Sequence, residues 1–273
     1  MQRRNDQHPE RSTHVEWTFH FDGPVRAEID VAAGEAILDP SPDGTVRVSL
    51  EPLSRHAERL VESYEVSLDD GGRLVVRPPS GWLGRGEVRC AVTLPEGSAL
   101  TFRTASADLR CNTVLASFDG STASGDVHLP AVIGDASLKA ASGDFDCGEV
   151  GRRLSVKAAS SDVRLRRLGS EGRVSLASGD LEIEDLAASL KASTASGDVR
   201  VRCARSGRIQ VDTASGDVAV GVAPGVGAYL DVTSVAGEME CDLPLESQRP
   251  GDSQLEIVCR TVSGDVRIAA AAR

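Results

Sequence analysis

The chain has 273 residues, 40% apolar and 26% charged, a globular balance with room for one large or two small domains. Its formal net charge is −11, with 11 basic against 17 acidic groups in residues 1–98 and 19 against 24 in residues 99–273. That balance argues against non-specific nucleic-acid binding as the main task, and there is no run of 18 apolar residues to span a membrane.

Residues 1–14 are polar and read as a disordered tail. They carry charge but no apolar leader, so a cytoplasmic location is expected for the sequence as it stands. Residues 15–98 read as a β-rich cap with the first coil or coils. Alternating residues predict strands over Val15–Phe21 and Val25–Val31, parted by Asp22-Gly23-Pro24. Gly34-Glu35-Ala36-Ile37-Leu38 is a worn copy of a phrase that recurs later. A turn at Ser41-Pro42-Asp43-Gly44 leads into a strand over Thr45–Leu50. Pro52 to Glu62 is the helical candidate, with Leu53, Ala57, Leu60 and Val61 on one face. Tyr64–Leu68 and Arg73–Arg77 predict a hairpin across Asp69-Asp70-Gly71-Gly72. A Pro/Gly-rich loop from Pro78 to Gly86 contains Trp82, and a strand over Glu87–Leu94 ends at Pro95.

From residue 99 to 268 the chain repeats itself. Ser-Gly-Asp followed by an apolar residue stands at Ser124–Val127, Ser142–Phe145, Ser178–Leu181, Ser196–Val199 and Ser215–Val218; Ser106–Leu109 and Ser160–Val163 are variants. From Asp108 to Asp198 the Asp recurs every 18 residues, and a fixed period of this size signals a solenoid. The positions one and three after each Asp are apolar, as in Val127 and Leu129 or Leu181 and Ile183; the position between is polar. An apolar residue six after the Asp (Val132, Val150, Leu168, Leu186) marks a corner. A second alternating strand precedes the next Asp. The expected fold is therefore all-β: a parallel β-solenoid with 18-residue coils of two strands, behind a strand-rich cap with one short helix. Nine phrases make a stack of roughly 40 Å at strand spacing. The interval grows to 19, then 21 (to Glu238), then 27 (to Asp265). These looser coils, with a loop over Pro244–Asp252, read as the capped end. Val266-Arg267-Ile268 would then be an uncovered last strand before a tail at 269–273.

Asp108, Asp126, Asp144, Asp162, Asp180, Asp198, Asp217 and Asp265 are read as structural corners. Ala and Ser permit the turn, Gly the backbone angles, and the carboxylate bonds nearby N–H groups. Calcium in the corners is the sharper alternative. Cys111, Cys147 and Cys241 share one apolar place in the repeat and read as small buried hydrophobes. There is no Cys-x-x-Cys pair, so no metal site is assigned. Only His128 of the five histidines lies in the repeats, and Phe102, Phe118 and Phe145 map inward. No catalytic or cofactor-binding residue is therefore assigned. Arg152, Arg153, Lys157, Arg164, Arg166, Arg167 and Arg173 crowd about one coil. This band is either a partner-binding surface or a solvated face balanced by Glu182, Glu184 and Asp185.

The Ser-Gly-Asp-Val phrases, with Val88-Arg89-Cys90-Ala91-Val92-Thr93-Leu94-Pro95 leading to Leu100-Thr101-Phe102, resemble the bacterial "putative adhesin" family of β-strand-repeat proteins, whose function is unknown. The resemblance covers roughly residues 15–268 and implies no catalytic residues. It points to a non-enzymatic scaffold that binds another macromolecule, such as a protein, through flat faces. End-to-end self-assembly and an enzyme acting on an acidic polysaccharide are the alternatives.

Overall fold

The computed structural model describes residues 14–79, 86–243 and 254–271. The expected disordered tail up to residue 13, Trp82 and its immediate neighbours, the Pro244–Asp252 loop and the last two residues lie outside the described residues.

The first strands are β1 (Val15–His20), β2 (Arg26–Pro40), β3 (Thr45–Pro52), β4 (Glu65–Leu68), β5 (Arg73–Arg77), β6 (Val88–Leu94) and β7 (Ser98–Cys111). Two segments expected to be separate merge in β2, because Val25–Val31 and the worn phrase are the two halves of one coil without a break. Its register shows this: Glu35 lies beside Asp108 and Ala36 beside Leu109. The N-terminal end then changes from parallel to antiparallel pairing. β1 pairs with β3, and β3 with β6, both antiparallel; β4 and β5 form the expected hairpin.

The helix is shorter than its pattern predicts. Pro52 belongs to β3 beside Val88, and the Leu53 amide donates to the Glu87 carbonyl at 2.8 Å. Only a 3-10 turn, Arg55–Ala57, and one α turn, Glu58–Val61, remain. Ala57, Leu60 and Val61 are buried, whereas Leu53 is 40% exposed. Sheet pairing outcompetes a helical period of only about three turns.

From β7 onward each coil supplies two strands. The even strands are β8 (Leu115–Thr122), β10 (Ala136–Ser142), β12 (Arg153–Ser160), β14 (Glu171–Ser178), β16 (Ser189–Ser196), β18 (Gly207–Ser215), β20 (Ala228–Ala236) and β22 (Leu255–Ser263). The odd strands are β9 (Val127–Val132), β11 (Phe145–Val150), β13 (Val163–Leu168), β15 (Leu181–Leu186), β17 (Val199–Ala204), β19 (Val218–Val222), β21 (Met239–Cys241) and β23 (Val266–Ala270). Beyond β7, whose two halves meet β8 and β9, and a single β8–β9 pair at Leu115 and Val132, even pairs with even and odd with odd, all parallel, so the coils close into a two-faced parallel β-solenoid. Inward columns are continuous; Phe145, Val163, Leu181, Val199 and Val218 form one. Phe102, Phe118 and Phe145 are buried as expected, and the Phe118 and Phe145 rings stack with centroids 6.3 Å apart.

The last coils do not stack in chain order. β18 pairs with β22, and β22 with β20; β19 pairs with β23, and β23 with β21. The C-terminal coil therefore slots between the Asp217 coil and the Glu238 coil. This corrects the reading of Val266–Ile268 as an uncovered strand: both residues are 2% exposed. The end of the stack is β20–β21 instead. The 21-residue interval has a physical reason. Residues 223–227 connect β19 to β20, against only residues 187–188 between β15 and β16, and the longer link must climb two coil heights. Cys111 and Cys147 are buried, but Cys241 is exposed because its coil is the terminal one. Met239 and Val235 at the same end are 60% and 77% exposed.

Candidate interaction faces

The repeated Asp is a backbone acceptor. Asp108 Oδ1 accepts from the Asp126 amide, and the pattern runs through Asp144, Asp162, Asp180, Asp198, Asp217 and Asp265 at 2.8–3.0 Å. Asp265 in turn accepts from the Glu238 amide at 2.8 Å. Each carboxylate thus holds the corner of the adjacent coil, and the column reports the same coil order as the strand register. Among the described residues no group of three or more His, Cys, Asp or Glu is placed to hold a metal ion.

The odd strands present a face of mixed charge. Along one outward column, Asp146, Arg164, Glu182 and Arg200 are direct neighbours of alternating sign. Arg164 reaches Asp162 at 3.0 Å and Asp144 at 3.4 Å; Arg167 lies 3.6 Å from Asp185 and 3.9 Å from Glu149. Glu182 hydrogen-bonds Arg202 and raises its guanidinium further above its ordinary range. A shallow depression of about 330 Å³ is lined by Asp146, Gly148, Arg164, Arg166, Glu182 and Glu184 among others. Gly148 in its lining has no room for a side chain: a Cβ there would collide with the Pro130 carbonyl oxygen and then with the Arg166 guanidinium.

The even strands present a plainer face. Three outward columns run along it: Arg153, Glu171, Ser189 at the edge nearest the corner, then Ser137, Ser155, Arg173, Lys191, then Lys139, Lys157, Ser175, Ser193. In the last two the cations are exposed and the residues between them are short. Lys139, Lys157 and Lys191 form no ion pair among the described residues, and Arg173 meets Glu171 at 3.2 Å. Asp119 and Asp212 flank the array on the adjoining coils.

The seven basic residues singled out from sequence therefore do not share one surface. Arg164, Arg166 and Arg167 lie on the odd face. Lys157 and Arg173 lie on the even face. Arg152 and Arg153 sit at the opposite corner beside Asp135, each at 3.8 Å. Adjacency along one coil wraps residues around the solenoid; adjacency in space runs across coils at an interval of 18. Lys139 and Lys191 were missed for that reason, although counting outward cations at the repeat interval would have found them.

Fold and surface together define a parallel β-solenoid with two laddered outer faces. Residues 81–271 match the Toastrack DUF4097 family, and the chain belongs to it. Solved structures similar to this chain include a "putative adhesin" from Bacteroides fragilis, at 13% identity over 93% of this chain and 96% of that one, TM-score 0.49. A "putative adhesin" from Parabacteroides distasonis has 13% identity over 94% and 98%, TM-score 0.46. A "putative lipid binding protein" from the same species has 12% identity over 93% and 96%, TM-score 0.40. No curated protein matches the chain.

Proposed function

We propose that this protein is a non-enzymatic, adhesin-like β-solenoid scaffold that binds another macromolecule through its flat outer faces. The observation that carries the reading is the register. Coils in strict 18-residue phase lay outward side chains into columns whose successive members are about 4.8 Å apart, a geometry suited to an extended partner rather than a small molecule. His128 lies exposed on the odd face, 3.8 Å from Asp146, a surface contact with a carboxylate rather than a nucleophile–base pair. The test is capture from bacterial lysate by wild type, by an odd-face variant (Arg164→Glu, Arg166→Glu, Arg167→Glu) and by an even-face variant (Lys139→Glu, Lys157→Glu, Lys191→Glu). The reading expects a partner lost with one of the two faces. Equal capture by all three would sink it.

A second reading, end-to-end self-assembly, draws on the exposed terminal coil. Along β20, Leu230 and Val232 occupy inward positions yet are only half-buried, and an unpaired edge invites another strand. Molar mass by light scattering over a hundredfold concentration range decides it. Growing mass supports assembly; constant mass removes it.

A further inference from the structure

We infer that the even face binds a linear acidic polysaccharide along the diagonal row Lys139, Lys157, Arg173, Lys191. The inference rests on the interaction reading above and names its face and partner chemistry.

The row comes from register. Lys139 is the direct neighbour of Lys157, and Arg173 of Lys191, so each pair is about 4.8 Å apart at the backbone. The step from Lys157 to Arg173 is diagonal, about 7–8 Å. Four cations thus follow one another over four successive coils in a single track. Like charges placed directly opposite repel, and three of the four have no acidic partner among the described residues. A nearby anion is therefore favoured on this face although the whole chain carries −11.

Each coil also brings a hydroxyl beside its cation, two residues away on the same face: Ser137 with Lys139, Ser155 with Lys157, Ser175 with Arg173, Ser193 with Lys191. The Ser193 and Ser175 hydroxyls already meet each other at 3.3 Å. Within these two columns the repeating unit is one cation plus one hydroxyl per coil. Its complement is a polymer whose repeating unit carries one anion with hydroxyls around it, which is the chemistry of a polyuronate. The row is one cation wide, which fits a strand better than a plane of lipid headgroups. Strand-like nucleic acid fits less well, because the array holds no aromatic side chain on which bases could stack. Recognition would be electrostatic, so it should weaken steeply with salt.

The test measures binding of polygalacturonate to the full chain by calorimetry at low salt. Its methyl-esterified form is the neutral control, and vesicles of phosphatidylserine and phosphatidylcholine are the lipid arm. The expected result is saturable polygalacturonate binding, absent with the ester and weakened about tenfold or more by Lys139→Glu/Lys157→Glu/Lys191→Glu. The odd-face variant should retain it. Unchanged urea midpoints show that both variants are folded. Loss in the odd-face variant alone would overturn the placement. Lysine-dependent binding of vesicles without polygalacturonate binding would overturn the polysaccharide while leaving the interaction reading intact. No polygalacturonate binding, with lysate capture still lost in the even-face variant, would likewise overturn this inference alone.

Discussion

Replacing Asp180 separates hydrogen bonding from charge in the corner column. Asp180 Oδ1 accepts from the Asp198 amide at 2.8 Å, and its own amide donates to Asp162 Oδ1 at 3.0 Å. A hydrogen bond to a charged group is worth about 1.5–3 kcal/mol, and water at this exposed corner pushes the net loss toward the lower end. Against it stands repulsion from two neighbouring carboxylates, about 0.8 kcal/mol each at about 5 Å in water and less once salt screens them. Asp180→Ala loses the bond and gains relief from repulsion, for a net cost of about 1 kcal/mol, or about 2–4 °C in Tm. Asp180→Asn keeps an acceptor and gains the same relief, so it should melt within about 0.5 kcal/mol of wild type. Thermal and urea melts of the three proteins at about 0.15 M salt decide it. If Asn destabilises as much as Ala, the corner needs its charge rather than its oxygen, and the reasoning fails in favour of a bound cation.

Gly197 lies at φ +149°, where a Cβ would collide with the Gly179 carbonyl oxygen. Gly197→Ala should cost about 2 kcal/mol or more in a urea melt, whereas Ala195→Ser on the exposed side of the same corner should be neutral. Burial pushes the Cys90, Cys147 and Cys259 thiols up to about 12 and Cys111 up to about 11. Native protein at about pH 8 should therefore label first at exposed Cys241 and then at half-buried Cys203, as peptide mass spectrometry will show. The Thr45 amide, with help from Ser41 and Arg47, holds the Asp43 carboxyl well below the usual carboxylate range. A depressed folded pKa gives stability that is present above the unfolded value near 3.8 and lost as pH falls through that value toward the folded one. Asp43→Asn should therefore lose less stability than wild type between about pH 7 and pH 3, read from urea midpoints.

The regular coils were legible because local pattern and long-range pairing share one period. Once Asp126, Asp144 and Asp162 stand 18 apart, the register of Phe145 on Val163 follows. The inward Phe residues and the corner Asp positions follow from the same frame. Coil order at the end was not legible, since Glu238 and Asp265 carry the same phrase and either could follow Asp217. The longer link at residues 223–227 was the available signal, and by itself it looks like ordinary loosening. The helix was over-read because Leu53 completes an apolar stripe while Pro52 is already committed to β3. The interaction surface was misgrouped because Arg164 and Lys157 are close along the chain yet point from opposite faces.

The most direct test of the account is the stacking order itself, since it sets which residues share a face and which coil ends the stack. Asp212 neighbours Arg260, and Arg260 neighbours Thr233. Neighbouring coils place Cα atoms about 4.8 Å apart, within disulfide reach, whereas Asp212 and Thr233 are about 9.6 Å apart. In a Cys203→Ser/Cys241→Ser background, mild oxidation of Asp212→Cys/Arg260→Cys should give an intrachain disulfide by non-reducing peptide mapping, and Asp212→Cys/Thr233→Cys should give none. The opposite outcome, a crosslink only in the second pair, would mean the coils stack in chain order and would contradict the architecture described here.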